Sequence, residues 1–255
     1  MSVIKKSAVV TFSNRRRMSR NGEAAAAVAC NPSRMSRTDE LIDALSNGDA
    51  ARTAALLDED PSLLGAKSGA VSAVLLALYH GHPSLAQLFT ARGAVLTFPE
   101  LCALGVGERV RRMLEEDRSL ASSYSEDGYP ALGLAIFFRQ PGIARLLIEQ
   151  GADVDAAAKN PQAVAPLHAA AAVQDHETMR LLLDRRADPN ARQQAGFTAF
   201  HSAAGRGDIE MAKLLLAHGA DARATTDEGK SAVEIAEEHG KPEFAAWLRG
   251  LTPRG

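Results

Sequence analysis

Sulfur and aromatic rings are scarce in this chain. Cysteine occurs twice, tryptophan once and tyrosine three times in 255 residues, and aromatic residues total 5%. Cys30 and Cys102 lie in different regions, so a disulfide framework is excluded and a reducing, cytoplasmic setting is expected. No stretch approaches the run of about 18 apolar residues that a membrane-spanning helix needs. Neither sign of charge dominates: 29 basic and 31 acidic side chains leave a net charge of −2. Motifs of the C-x-x-C, H-E-x-x-H and G-x-S-x-G kinds are missing. Gly105-Val106-Gly107 lacks the third glycine and the preceding strand of a dinucleotide fingerprint. These absences argue against a metal, a cofactor and a catalytic centre, and the chain reads as non-enzymatic.

The informative presence is an interval. Residues expected to end helices recur at Gly48, Gly81, Gly107, Arg139, Gln174, Gly207 and Gly240, with spacings of 33, 26, 32, 35, 33 and 33. A period near 33 implies a stack of small units, none able to bury its apolar face alone. Stacks of this kind offer open binding surfaces rather than closed reaction pockets. The copies are expected over 38–66, 68–95, 97–126, 129–160, 164–193, 197–226 and 230–252, the third of them shortened.

Two copies carry the clearest register. Residues 165–192 read APLHAAAAVQDHETMRLLLDRRADPNAR and residues 198–225 read TAFHSAAGRGDIEMAKLLLAHGADARAT. His168 and His201 are 33 apart, as are the two LLL triplets and the Ala-Asp pairs at 187–188 and 220–221. Pro166 suits a first helical position, Gly207 and Gly219 suit left-handed closures, and Ile209, Ala212, Leu215 and Leu216 form an apolar stripe. These motifs resemble the ankyrin-repeat family, whose unit is a turn plus two antiparallel helices with a T-P-L-H-x-A signature. The resemblance covers roughly residues 37–250. It implies an all-α ankyrin-repeat solenoid of about seven copies, acting as a protein–protein interaction scaffold or adaptor, monomeric, without nucleic acid as a ligand. It also implies structural roles for His168 and His201, whose side chains should bond the turn between repeats. Arg139, Gln174 and Arg186 stand where the pattern prefers glycine.

Residues 1–36 carry no repeat. They hold seven basic residues and one acidic, a net of +6, while the remainder holds 22 basic and 30 acidic, a net of −8. A disordered basic tail or an over-extended start, an organellar targeting segment, and a secretion signal around AAAAVAC at 24–30 all remain open. If the Arg15-Arg16-Arg17 cluster touches lipid headgroups, the chain would instead be a membrane-peripheral module tethered by this tail. The acidic remainder does not suit nucleic acid.

Other polar clusters read as structure. Gly81 should turn His80 and His82 apart, and Asp153 and Asp155 fall in a turn. Glu237, Glu238 and Arg249 should shield the terminal stripe of Phe244, Trp247 and Leu248. In ankyrin-like stacks the concave surface is built from turn tips and the exposed ends of the first helices. The two residues before each closing position should point there: Ser46/Asn47, Tyr79/His80, Gly105/Val106, Phe137/Phe138, Ala172/Val173, Gly205/Arg206 and Glu238/His239. Tyr79, His80, Val106, Phe137, Phe138, Val173 and Arg206 are therefore the candidate partner-binding residues, with Tyr79, Phe137 and Phe138 as anchors.

Overall fold

The computed structural model describes residues 35–251; the basic tail, Cys30 and the tether reading fall on residues outside that range. Among the described residues, fourteen α-helices form seven antiparallel pairs. The chain divides into two compact units, one ending at Leu96 and the other beginning at Thr97. The first unit holds α1 (Arg37–Asn47), α2 (Ala50–Glu59), α3 (Ala73–Tyr79) and α4 (Pro83–Ala91). The second holds α5 (Phe98–Leu104), α6 (Gly107–Glu116), α7 (Ala131–Phe137), α8 (Pro141–Glu149), α9 (Pro166–Val173), α10 (His176–Asp184), α11 (Ala199–Arg206), α12 (Ile209–Ala217), α13 (Ala232–Glu238) and α14 (Pro242–Leu251). Among the described residues, no helix is long and apolar enough to cross a membrane.

Within each unit the first helix of a pair packs against the first helix of the next, and second helices against second helices. A first helix is thus flanked on two sides and backed by its own partner. Ala73–Leu78 and Ala131–Ile136 are buried at every position, so these short helices show no polar face. Second helices keep an exposed outer face and are amphipathic. In α12 the buried side chains are Met211, Ala212, Leu214 and Leu215. The stripe expected from spacing is therefore rotated: Ile209 and Leu216 are half-buried at its margins, and Met211 and Leu214 take the centre.

Local chemistry starts and stops these helices. Apart from α6, which begins at Gly107 after Val106, second helices open on an aspartate cap or a proline, because both suit a first turn whose N–H groups lack helical partners. The carboxylates of Asp49, Asp175 and Asp208 accept from the N–H groups of Arg52, Thr178 and Met211 at 2.9, 2.9 and 3.0 Å. Pro83, Pro141, Pro166 and Pro242 each occupy a first helical position. The second helices of the first and third pairs end differently from the rest. Asp60 and Asp117 each accept from the N–H and hydroxyl of a serine two residues on, turning the chain into a short 3-10 segment.

First helices close in the left-handed region, where the return to the second helix begins. Gly48, Gly81, Gly207 and Gly240 do so as expected, and so do the non-glycine residues Arg139 (φ 59°) and Gln174 (φ 56°). The third pair departs from expectation. Its left-handed closure is Gly105 (φ 82°), while Gly107 begins α6. The interval from Gly81 is thus 24 residues, and the cause lies before the helix: α4 and α5 are joined by residues 92–97, whereas α6 and α7 are joined by residues 117–130. The hairpin tip found in other connections is left out there. Glycine suits this left-handed position, and a Cβ there would have to displace the end of the Gln140 side chain.

Hairpin tips stack in the second unit. The N–H groups of Lys159, Gln194 and Asp227 donate to the carbonyls of Gly128, Gln162 and Ala195 at 2.7, 2.9 and 3.0 Å, one bond per step. Asp153 and Asp155 lie in a turn, as expected, and Asp155 also accepts from the Asp188 N–H one repeat later at 2.8 Å. At the C-terminal end Phe244 and Leu248 are buried, with Phe200 edge-on to Phe244 at 6.3 Å and Trp247 beside it at 5.3 Å. Arg249 pairs with Glu237 over this end.

Arg186, exposed at φ 67°, has no side-chain hydrogen bond or ion pair among the described residues to offset a left-handed conformation. Arg186→Gly is expected to stabilise the chain by about 1 kcal/mol, raising Tm by about 2–4 °C in a thermal melt. Arg139→Gly is expected to give no such gain, since it also deletes the bond of Arg139 to the Val173 carbonyl.

Candidate partner-binding face

The two signature histidines are built into the turns. The Ala165 N–H donates to Nδ1 of His168 (3.2 Å), whose Nε2 lies 2.9 Å from the Ala191 carbonyl. A carbonyl only accepts, so Nε2 carries the proton and the ring is neutral. His201 repeats this with the Thr198 N–H (3.1 Å) and the Ala224 carbonyl (3.0 Å). Burial drives the His168 pKa down to about 4, against weaker opposition from the Ala191 bond. His201 is lowered for the same reason. Both rings thus tie a helix start to the tip 23 residues on, with both ring nitrogens engaged by backbone.

The candidate binding residues sit at the C-terminal ends of the first helices. Phe137 ends α7 and Phe138 follows it, both half-buried, with their rings edge-on at 5.2 Å. Gln140 fixes the chain beyond them by donating to the Phe138 carbonyl at 3.2 Å. Arg206, half-buried, ends α11. In the first unit Tyr79 ends α3 and His80 caps it, both half-buried. The His80 Nε2 lies 3.5 Å from the Ser46 hydroxyl, while the His82 ring covers Gly48.

Two candidates are corrected. Val106 lies beyond the closure at Gly105, in the cap of α6, so the positions in register with the other pairs are buried Ala103 and half-buried Leu104. The error came from placing the closure at Gly107. Val173 is buried and contributes its backbone rather than its side chain.

That backbone joins Arg206, a candidate from spacing, to Arg139, which spacing placed only as a closing residue. The guanidinium of Arg139 reaches from the preceding repeat to donate Nη2 to the Val173 carbonyl at 2.7 Å. Arg206 reaches from the following repeat to donate Nη2 to the Ala172 carbonyl at 2.5 Å. The last carbonyls of a helix lack partners and carry its negative end, so two cations there satisfy both needs. Arg206 also donates to the Gln174 amide oxygen (3.4 Å), and Gln174 donates to Asp208 (3.3 Å). His176 stands 2.8 Å from the same Asp208 oxygen. Burial opposes ionisation of Asp208, yet the Met211 N–H, His176 and Gln174 together hold its pKa below the usual range. For Arg206, burial lowers the pKa; Asp208 opposes this and the neighbouring Arg139 adds to it. The surface around α9 is thus a rigid polar lattice flanked by a phenylalanine pair.

Residues 127–159 match the ankyrin repeat, and residues 167–252 match a run of three ankyrin repeats. These segments are ankyrin repeats. No curated protein matches the chain. Ankyrin repeats are generally protein–protein interaction modules, typically non-catalytic. The matched segments span α7 to α14 and contain both histidine ties and the closures at Arg139, Gln174, Gly207 and Gly240.

The histidine ties have a measurable consequence. With a folded pKa near 4 against about 6.5 unfolded, His168 contributes stability above pH 6.5 that is lost as pH falls toward 4, about 3 kcal/mol in full. Urea midpoints taken between pH 7.5 and 4.5 should fall steadily. His168→Asn should be less stable at pH 7.5 and show a shallower decline through the same window.

Proposed function

We propose that this chain is a non-catalytic interaction scaffold whose second unit holds a protein segment across the ends of its first helices, with Phe137 and Phe138 as anchors. The observation that carries the reading is the half-buried aromatic pair at the helix end, set beside carbonyls already bonded to arginine. Large rings that stay partly in water in a folded chain gain when a partner covers them, and aromatic residues and arginine dominate such contacts. The backbone beneath is fixed by capping and cross-repeat bonds, which lowers the ordering cost of association. In the first unit Tyr79 and His80 hold the same register and are proposed as a second contact surface. Scarce cysteine, with Cys102 a buried free thiol, supports a cytoplasmic setting.

The test compares the full chain with a Phe137→Ser, Phe138→Ser variant in affinity capture from lysate of the native organism. The variant should lose the captured protein while keeping its helical circular dichroism and a Tm within a few degrees. Unchanged capture, or a collapse in stability that makes both rings core, overturns the reading.

A further inference from the structure

The face that the proposed function assigns to a partner has a charge of its own. Arg139 and Arg206 come from the repeats on either side of α9 and bond consecutive carbonyls, Val173 and Ala172. Consecutive acceptors hold the two guanidiniums close together, where like charges would otherwise swing apart. The nearby carboxylates are already engaged. Asp208 receives the Met211 N–H, the Gln174 amide and His176, and Asp175 receives the N–H and hydroxyl of Thr178. Arg139 directly follows Phe138 in the chain, so the cationic pair and the aromatic pair adjoin. Outside the tail the chain carries a net −8, and Asp208 and Asp175 lie at this same helix end, so the two guanidiniums offer directed donors here and not a field of net positive charge.

We infer that Phe137, Phe138, Arg139 and Arg206 together receive an acidic peptide segment, an apolar side chain resting on the phenylalanine pair and a neighbouring carboxylate bridging the two guanidiniums. The inference rests on the reading that a protein segment lies on this face. It adds the chemistry of that segment. Planar guanidinium forks match carboxylate oxygens, and charge-assisted bonds of this kind are stronger than neutral ones. Because both forks are already oriented by backbone carbonyls, little side-chain freedom remains to be lost on binding. The chain's overall negative charge repels acidic ligands at long range, so recognition comes from these contacts and not from steering.

The experiment is selection of a phage-displayed random dodecapeptide library on the full chain, on Arg139→Gln/Arg206→Gln, on Arg139→Lys/Arg206→Lys and on Phe137→Ser/Phe138→Ser, each checked by thermal melt. The wild type should enrich peptides with Asp or Glu close to Leu, Ile or Phe. A synthetic peptide of the enriched sequence should bind about tenfold more weakly when its acids are changed to amides, and about tenfold more weakly to the Gln variant. The amidated peptide should not distinguish wild type from the Gln variant, and the Lys variant should keep the acidic preference. Enriched peptides without acids, or equal loss of both peptides on the Gln variant, overturn the inference; if the Phe variant still abolishes binding, the scaffold reading stands. No enrichment on the wild type, or binding insensitive to both pairs, overturns both.

Discussion

The reversal of the chain after each first helix is the constraint on which the structure depends. It is made by one residue in the left-handed region, and its position sets where the second helix starts and where the carbonyls of the first helix end. Where glycine fills it, the backbone bears no strain. Arg139 and Gln174 fill it with side chains instead, and in each case the side chain is used: the guanidinium spans to the Val173 carbonyl and the amide to Asp208. A conformation of roughly 1–2 kcal/mol cost for a non-glycine residue thereby becomes a bond to the next repeat. Arg186 bears the same strain with no such bond among the described residues.

Neighbour-only contact explains the rest of the organisation. In the second unit the repeats are joined by the packing of like helices and by one backbone bond between successive hairpin tips, and in two of them a histidine ties a helix start to the tip that follows it. The histidines must be neutral to do this, because each ring donates from one nitrogen and accepts at the other. That links a buried structural device to pH without any catalytic role.

The candidate binding face follows from the same framework. Its rings and guanidiniums sit at helix ends, where the backbone still has carbonyls to satisfy and where solvent reaches the side chains. Partner recognition and helix capping therefore use the same residues. A substitution at Arg139 or Arg206 touches both, which is why a charge-retaining lysine and a neutral glutamine separate the two roles.

Much of this was legible in the sequence. The recurrence near 33 residues located the helix pairs, since each unit repeats the same turn-helix-turn-helix pattern of apolar positions. His168 and His201, Pro166, Gly207 and the turn at Asp153 and Asp155 all stand where spacing placed them. The third closure was misplaced by two residues because Gly105 and Gly107 both flank Val106, and composition does not say which glycine is left-handed; the missing hairpin before α5 decides it. The stripe of α12 was rotated for a similar reason: periodicity gives a face, while the neighbour's position gives its centre. Above all, the link from Arg139 to Val173 and from Arg206 to Ala172 spans 34 residues, about one repeat, and depends on side-chain reach between stacked helices. Local residue order determined the repeats and their caps, because those are set by backbone preferences within a few residues. Only the tertiary structure decided which side chains meet at the end of α9, because that meeting depends on how one repeat is stacked on the next.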